Sequence, residues 1–178
     1  MKDNSLLELV LKRRSVRRYK TARIDDEIID EILKVGLAAP TAFGNHDVEF
    51  VVVRNSDTIQ KVGACKTFGG SQINGADTVI VVMAKTADKH ASEFWIEDAA
   101  LASGYMLLAI EQYNLGACWV HIRNRKGQRK SSDEEIRELL GVPDGYTVLN
   151  LIALGEKGEI KSPYTEANLN MKAIHYVK

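Results

Sequence analysis

A basic run at residues 13–20 has five cations in eight residues. Arginine side chains bind phosphate oxygens through paired hydrogen bonds, and the Ser15 hydroxyl adds a short donor. Val16 and Tyr19 interrupt the charges, which indicates that the segment is packed against the protein. Three interpretations stay open: a solvated patch, a nucleic-acid contact and a phosphate clamp. The formal net charge of zero weakens the nucleic-acid interpretation.

A second segment, residues 39–45, reads Ala-Pro-Thr-Ala-Phe-Gly-Asn and follows a long helical pattern. Its small residues would let a planar ligand approach the backbone closely, and Thr41 or Asn45 could bond to carbonyl or hydroxyl groups. The other interpretation is a plain helix stop and turn, with Pro40 ending the helix.

A third segment, residues 115–123, is a glycine turn that leads into a strand. Alone, it is typical of a core strand, in which His121 is a hydrogen-bonded histidine and Cys118 an inert thiol. The sequence has no Gly-x-Ser-x-Gly elbow, no phosphate-binding P-loop and no Gly-x-Gly-x-x-Gly after a strand. We therefore expect no Rossmann unit for a nicotinamide and no kinase-like site.

The composition fits one globular domain over residues 1–178, with 45% hydrophobic and 27% charged residues. The two cysteines do not form a Cys-x-x-Cys pair, so we expect no metal site. No signal-peptide core and no bilayer-spanning apolar run are visible. We expect a cytoplasmic protein with reduced thiols and with neither a membrane nor a nucleic acid as partner.

Hydrophobic periodicity predicts helices alternating with strands around these segments. A capping box of Ser5 and Glu8 opens a first helix, and a second helix starts at Asp25. The remaining predictions of the first half are a strand at residues 48–53, a helix at 57–62, a loop at 66–75 and a strand at 78–83.

The second half is dominated by a predicted helix at residues 93–114. It is apolar or small on nearly every side from Ala99 to Ile110, so it must be buried all round. A second copy packed close at Gly104 would bury it, from which we infer a homodimer. The other predictions are strands at 117–122 and 147–154, a helix opened by a capping box of Ser132 and Glu135, and a docked apolar tail at 173–177.

The three segments, in this order and spacing, resemble the nitroreductase family of flavoproteins over nearly the whole chain. The likeness rests on Arg-Arg-Ser-Val-Arg at 13–17, Ala-Ala-Pro-Thr-Ala at 38–42, Leu-Gly-Ala-Cys-Trp at 115–119 and Gly-Glu at 155–156. It implies an α+β fold with a central mixed β-sheet flanked by helices. It also implies an intertwined, obligate homodimer with two FMN sites at the subunit interface.

The resemblance also implies roles for individual residues. The FMN phosphate and ribityl chain would be held by Arg13, Arg14, Ser15 and Arg17. The isoalloxazine would be lined by the partner chain's copies of Pro40, Thr41, Ala42 and Asn45. The strand Trp119, Val120, His121 and Ile122 would pass along the ring and offer a backbone N–H to flavin N5. Gly155, at the end of the last strand, would lie at the cofactor, and Lys161 after it would be a second cation for the phosphate.

The implied activity is a flavoprotein oxidoreductase reaction. Reduced nicotinamide, NAD(P)H, would pass hydride to the flavin, and a nitroaromatic or quinone would then take its place in a ping-pong cycle. Water can supply the protons, so no catalytic side chain is expected. A non-enzymatic FMN sensor or store is the alternative, and NADH, NADPH and ferredoxin all stay open as donors. Residues 46–49 depart from the Gln-Pro-Trp that is common in the family, which leaves the substrate pocket undefined.

Overall fold

The run of apolar and β-branched residues at Thr78–Lys85 forms a central strand in the computed structural model, which describes residues 6–87 and 93–177. The helices are α1 (Leu6–Lys12), α2 (Asp26–Leu37), α3 (Ser56–Ala64), α4 (Trp95–Gln112) and α5 (Ser132–Leu140). The strands are β1 (Val48–Val53), β2 (Thr78–Lys85), β3 (Gly116–His121) and β4 (Tyr146–Gly155). Short 3₁₀ turns cover Ala42–Gly44, Gly70–Ile73, Glu166–Asn168 and Met171–Ala173.

The strands form one sheet in the order β1-β2-β4-β3, with every neighbouring pair antiparallel. The α+β class and the flanking helices agree with the prediction, with one correction to the mixed sheet. In the described part of the chain, parallel pairing is confined to an isolated bridge between Ser15 and Ala117. The central strands β2 and β4 are apolar along most of their length because helices cover both faces of the sheet. Burial on both faces gives the same sequence pattern as a parallel strand.

Alternate residues of β2 supply two separate cores, one on each face of the sheet. Ile80 and Val82 pack with α2 and α4, whereas Val79 and Val81 pack with α3 and α5. This alternation follows from the two-residue period of a strand. The fold therefore has three layers, and β3 forms one outer edge of the middle layer.

The capping box of α5 lies one residue earlier than predicted. Ser131 caps the helix and accepts the backbone N–H of Glu134, whose carboxylate accepts the N–H of Ser131. Glu135 instead accepts the backbone N–H groups of the two residues before Ser131. The sequence Ser-Ser-Asp-Glu-Glu contains the motif in two registers, and only the backbone conformation at Ser131 distinguishes them. The Ser5 capping prediction falls outside the described residues.

Helix α4 is not buried all round within one chain. Its inner face is fully buried, but Leu101 and Tyr105 are 44% and 41% exposed. The C-terminal tail also differs from the prediction, since Tyr176 and Val177 are exposed and do not dock in the single chain. No helix in the described ranges is both long and apolar enough to cross a membrane.

Candidate functional site

The basic run is fixed across the edge of the sheet where β3 begins. The N–H of Val16 donates to the carbonyl of Ala117 at 2.8 Å, and the Val16 side chain is buried. A Cβ atom on Gly116 would lie 2.7 Å from the Cγ1 of Val16, so only glycine allows this approach. The inference that the run is packed against the protein is therefore correct, and Val16 is its anchor.

Tyr19 anchors the far end of the run. Its hydroxyl donates to the carbonyls of Val16 at 2.8 Å and Ala153 at 3.2 Å. Burial raises the pKa of this hydroxyl far above its ordinary value, so it stays protonated as a donor. A Cβ atom on Gly155 would lie 3.0 Å from the Tyr19 ring. Gly155, which we expected near the cofactor, thus supports the run by packing under Tyr19.

Two of the three sequence segments meet in one pocket of about 870 Å³. Arg13 and Ser15 come from the basic run, and Trp119 comes from β3. The remaining wall is mostly the outer face of α4, including Leu101 and Tyr105, with Glu97 at the start of that helix and Val10 of α1. Hydrogen-bond donors at one side and an apolar wall at the other suit a ligand with a polar end and a flat apolar part.

A polar cluster lies beside this pocket, at the end of the basic run. The Nε of Arg17 donates to Gln72 Oε1 at 2.9 Å, and the backbone N–H of Arg17 donates to Glu159 Oε1 at 2.6 Å. The latter bond lowers the pKa of Glu159. Lys161 donates to the carbonyl of Ser15 at 2.7 Å and lies 3.4 Å from Glu159. Lys161 therefore lies against the run.

Arg14 points away from the pocket. Its guanidinium donates to the carbonyl of Ser162 and stacks over the Tyr164 ring, 4.3 Å from the centroid. Successive side chains of an extended segment point in opposite directions, so Arg13 and Ser15 share one side and Arg14 takes the other. The four residues that we grouped on the phosphate are thus divided among three environments.

The turn at residues 40–46 is held by hydrogen bonds at both ends. The N–H of Ala42 donates to Asp98 Oδ1 at 2.9 Å, and the N–H of His46 donates to Thr41 Oγ1 at 3.2 Å. Asp98 is buried near the start of α4, which ties the turn to that helix.

Within one chain this turn does not reach the pocket of Arg13. Thr41 lines a different, smaller cavity of about 160 Å³, together with Ala102 of α4. Pro40 and Asn45 are exposed. One chain therefore brings together two of the three predicted segments and leaves the third apart.

The strand β3 presents its residues alternately to two environments. The Trp119 side chain packs toward α4, whereas Val120 and Ile122 are buried in the opposite core. The N–H of Ile122 donates to β4, at the carbonyl of Leu149. By alternation, the N–H groups of Trp119 and His121 point to the outer edge of the sheet. A ligand beside β3 would thus meet the backbone at those two residues.

Cys118 is a buried thiol rather than a nucleophile. Burial raises its pKa, although the nearby Arg17 and Lys161 act to lower it. Its sulfur lies 3.8 Å from Gln72 Oε1. The interpretation of Cys118 as an inert core thiol agrees with these contacts.

Sequence reasoning missed three polar residues that position the site: Gln72, Asp98 and Glu159. Asp98 could have been noticed from the sequence, because it and Glu97 are acids in the first turn of a mainly apolar helix. Gln72 lies in a glycine-rich loop and Glu159 in the segment after β4, where local patterns carry no information on tertiary partners.

Comparison with known proteins assigns the fold to a family. The model of the nitroreductase family matches residues 10–67 and 64–156. The chain therefore belongs to the nitroreductase family.

Three relatives are similar to this chain over nearly all of its length. An FMN-dependent nitroreductase from Clostridium difficile R20291 has 35% sequence identity and a TM-score of 0.91, covering 97% of this chain and 99% of that chain. A protein from Archaeoglobus fulgidus, described as a candidate NADH dehydrogenase/NAD(P)H nitroreductase, is 30% identical over 173 residues, 97% of each chain. A candidate nitroreductase from Desulfovibrio desulfuricans, solved in complex with FMN, has 24% identity and a TM-score of 0.71, covering 96% and 97% of the two chains. The last likeness concerns the fold alone.

Proposed function

We propose that this chain is an FMN-dependent oxidoreductase that passes electrons from a reduced nicotinamide to a flat, electron-poor acceptor such as a nitroaromatic or quinone. Membership of the nitroreductase family supports the class of reaction. The observation that carries the proposal is the pocket in which Arg13 and Ser15 face Trp119 and the apolar side of α4. FMN supplies the hydride chemistry when bound, and the chain binds and orients it.

The chemistry of the pocket fits a flavin mononucleotide. Among the described residues, the Arg13 guanidinium has no acidic partner, so it is available to an anion. Ser15 adds a hydroxyl donor, and the pair suits a phosphate group. Trp119 and the leucines of α4 offer the apolar surface that a fused ring needs. The cavity volume lies within the usual range for cofactor sites.

Lys161 and Arg17 support the phosphate end in different ways. Lys161 is held on the carbonyl of Ser15, so its charge lies beside the run. Arg17 is oriented by Gln72, whose amide oxygen also lies beside the Cys118 thiol of β3. We propose that Lys161 places a positive charge near the FMN phosphate and that Arg17 places one nearer the isoalloxazine ring. The N–H groups of Trp119 and His121 are the candidates for a bond to flavin N5.

A homodimer completes the site in this proposal. The pocket is bounded by the exposed face of α4, where Gly104 leaves open space and Leu101 and Tyr105 meet solvent in one chain. The turn at residues 40–45 cannot reach the pocket of its own chain. A second chain packed on α4 would cover the exposed face and bring its own turn to the ring. The site is built from residues between 13 and 161, which supports the proposal that residues 1–178 form a single domain.

Spectroscopy of the purified protein tests the proposal directly. We expect a yellow protein with an FMN spectrum that anaerobic NADH or NADPH bleaches and a quinone or nitroaromatic restores. Initial rates with both substrates varied should give parallel double-reciprocal lines, as a ping-pong cycle requires. A colourless protein that gains no flavin spectrum with added FMN would refute the proposal. A yellow protein that no donor bleaches would instead favour the sensor or storage function.

Substitution tests the phosphate assignment. Arg13→Ala and Ser15→Ala should each weaken FMN binding roughly tenfold or more, because a hydrogen bond to a charged group contributes about 1.5–3 kcal/mol. Arg18→Ala is the matched control, since it removes an exposed charge from the same run. Equilibrium titration of the apoprotein with FMN gives the dissociation constants. Equal affinities for Arg13→Ala and Arg18→Ala would contradict the assignment.

A further inference from the structure

The loop that follows β3 is strongly basic. Residues 123–130 read Arg-Asn-Arg-Lys-Gly-Gln-Arg-Lys and contain five cations and no acid. This density equals that of the basic run at 13–20, in a chain with no net charge. The positive charge is therefore concentrated at the two ends of one strand, since the basic run crosses the start of β3 and this loop begins at its end.

Hydrogen bonds fix this loop in place. The N–H of Arg125 donates to the carbonyl of Ile122 at 2.9 Å, and the carbonyl of Arg125 accepts the N–H of Ser132 at 2.9 Å. The Thr67 hydroxyl donates to the carbonyl of Lys126 at 2.9 Å. The loop is thus tied to β3, to α5 and to the segment after α3, so its basic side chains extend from a fixed backbone.

Lys66, Arg123 and Arg125 form a cationic cluster around the His121 side chain at the end of β3. Partial burial and then the charges of Arg125, Lys66 and Arg123 lower the pKa of His121. Burial and then Arg125 lower the pKa of Lys66. Like charges at close range repel each other, and this repulsion is retained in the folded chain.

The cluster lacks counter-charges that other parts of the loop possess. Lys130 pairs with Glu138, and the Arg129 N–H donates to Glu135. Within the described ranges, Lys66 and the two arginines of the cluster form no ion pair with an acid. A fixed group of uncompensated cations is a ready binding site for an anion.

The cluster is continuous with the candidate flavin site. A Cβ atom on Gly69 would lie 3.8 Å from Lys66 Nζ and 2.9 Å from Gln72 Nε2, and Gln72 accepts the Nε of Arg17 at 2.9 Å. A cavity of about 290 Å³ lies beside Lys66, lined by Gly69, Gly70 and Ser71. Trp119 is two residues, or roughly 7 Å, from His121 along the strand.

We propose that the cationic cluster binds the phosphate groups of a reduced nicotinamide dinucleotide, the electron donor. This inference rests on the proposed function, because it assumes that the flavin lies along β3. The flavin phosphate belongs to Arg13 and Ser15 at the start of the strand, which leaves the cluster at its far end for a different anion. A dinucleotide carries a pyrophosphate, and the arginine side chains bind its oxygens through paired donors. The cluster thus provides the anion site that a Rossmann glycine loop supplies elsewhere.

Donors with and without phosphate groups test this inference. We would measure anaerobic flavin reduction by NADH, by NADPH and by uncharged N-benzyl-1,4-dihydronicotinamide in a stopped-flow instrument. Replacing Arg123 and Arg125 with Ala should raise the apparent Kd for both dinucleotides roughly tenfold or more. The same variant should leave reduction by the uncharged donor unchanged. Binding of 2′,5′-ADP, measured by calorimetry, should weaken in parallel.

The matched control is Lys130→Ala, which removes a cation from the same loop but one paired with Glu138. This variant should have the same apparent Kd for NADH and NADPH as the unaltered protein. Raising the salt concentration should weaken dinucleotide binding in the unaltered protein more than in the double variant.

The outcomes separate this inference from the proposed function. Absence of FMN, or an FMN that no donor reduces, would refute the proposed function and this inference with it. Normal FMN content with equal effects on charged and uncharged donors would overturn this inference alone. Reduction by an acidic electron-carrier protein that depends on Arg123 and Arg125, with dinucleotides unaffected, would also overturn it and assign the cluster to a protein partner.

Discussion

Phe43 adopts a backbone conformation that is unusual for a bulky residue. Its φ is 55°, in the left-handed region, and its side chain is 85% exposed, with its ring centroid 5.9 Å from that of Phe94. The bond from Ala42 to Asp98 fixes the turn on one side of it. The left-handed conformation costs an L-residue about 1–2 kcal/mol. Strain of this kind is common at ligand-binding sites, which supports the proposal that this turn lines the cofactor.

This strain predicts that glycine at position 43 gives a more stable protein than alanine, the reverse of the usual order. Phe43→Gly and Phe43→Ala both remove the ring, but only glycine tolerates the left-handed conformation. We therefore expect the glycine variant to unfold with a free energy about 1 kcal/mol higher than the alanine variant. Urea unfolding measures both values. The control is the same pair at Val52 in β1, where alanine should be the more stable, and an alanine advantage at position 43 would contradict the strain.

Glu135 gives a prediction on pH dependence. The backbone N–H groups of Arg129 and Lys130 lower its pKa below the ordinary 4.5. A carboxyl whose pKa is lowered by folding stabilises the protein above its unfolded pKa, and this contribution is lost as pH falls through the lowered value. Glu135→Gln should therefore lose less stability than the unaltered protein between pH 6 and about pH 3.

Thermal unfolding across that pH range measures the effect. Glu138→Gln is the control, because Glu138 pairs with Lys130 at the surface and, in the described part of the chain, accepts no backbone N–H. Parallel pH profiles for Glu135→Gln and the unaltered protein would show that the bonds to Glu135 do not affect acid stability.

At the scale of elements, local patterns predicted most of the secondary structure. The strand at 48–53 has the bounds that the sequence indicated, and α4 lies within the predicted 93–114. These elements carry strong periodicity of their own. The register of the α5 capping box was wrong because Ser131 and Ser132 both precede a glutamate by three residues. The choice depends on where the loop from β3 ends, which is a tertiary property.

The corrected register predicts opposite behaviour for two adjacent serines. Ser131→Ala should lower the free energy of unfolding by about 1 kcal/mol, since it removes the cap of α5. Ser132→Ala should be neutral or stabilising, because the Ser132 hydroxyl is buried and has no hydrogen-bond partner in the described part of the chain. Chemical denaturation of both variants distinguishes them. Equal losses of unfolding free energy, or a larger loss for Ser132→Ala, would favour the register predicted from the sequence.

The candidate site was predictable in part. Arg13, Ser15 and Trp119 were named from sequence and share one pocket, and Lys161 lies against the run. The division of the run could not be foreseen, because the partner of Arg14 is in a tail about 150 residues away. Local composition identifies residues suited to bind phosphate, but it does not indicate which of them a distant segment will occupy.

At the scale of the whole molecule, the exposed face of α4 predicts an effect on assembly and on the cofactor together. Leu101→Glu introduces a charge where we propose that a second chain packs. We expect a monomer by analytical ultracentrifugation and loss of bound FMN, since a lone chain keeps its turn at 40–45 away from the pocket.

The control for that experiment is Leu139→Glu, at a comparably exposed leucine on α5 in a different layer of the fold. It should leave both the assembly and the flavin content unchanged. A Leu101→Glu monomer that keeps its FMN would contradict the view that the site needs two chains.

The contacts that fix the basic run also set the order in which the molecule is completed. Ser15 is bonded to Lys161, and Arg17 to Glu159, across 146 and 142 positions of the chain. Synthesis proceeds from the N-terminus, so the run leaves the ribosome long before its partners at residues 159 and 161 are made. The helices and the strands can form meanwhile, but Ser15 and Arg17 gain these two bonds only after residues 159–161 have been made. A nascent chain that stops before residue 159 can hold Val16 on Ala117 and Tyr19 on Ala153, but it lacks the bonds of Glu159 and Lys161 that complete the proposed phosphate site.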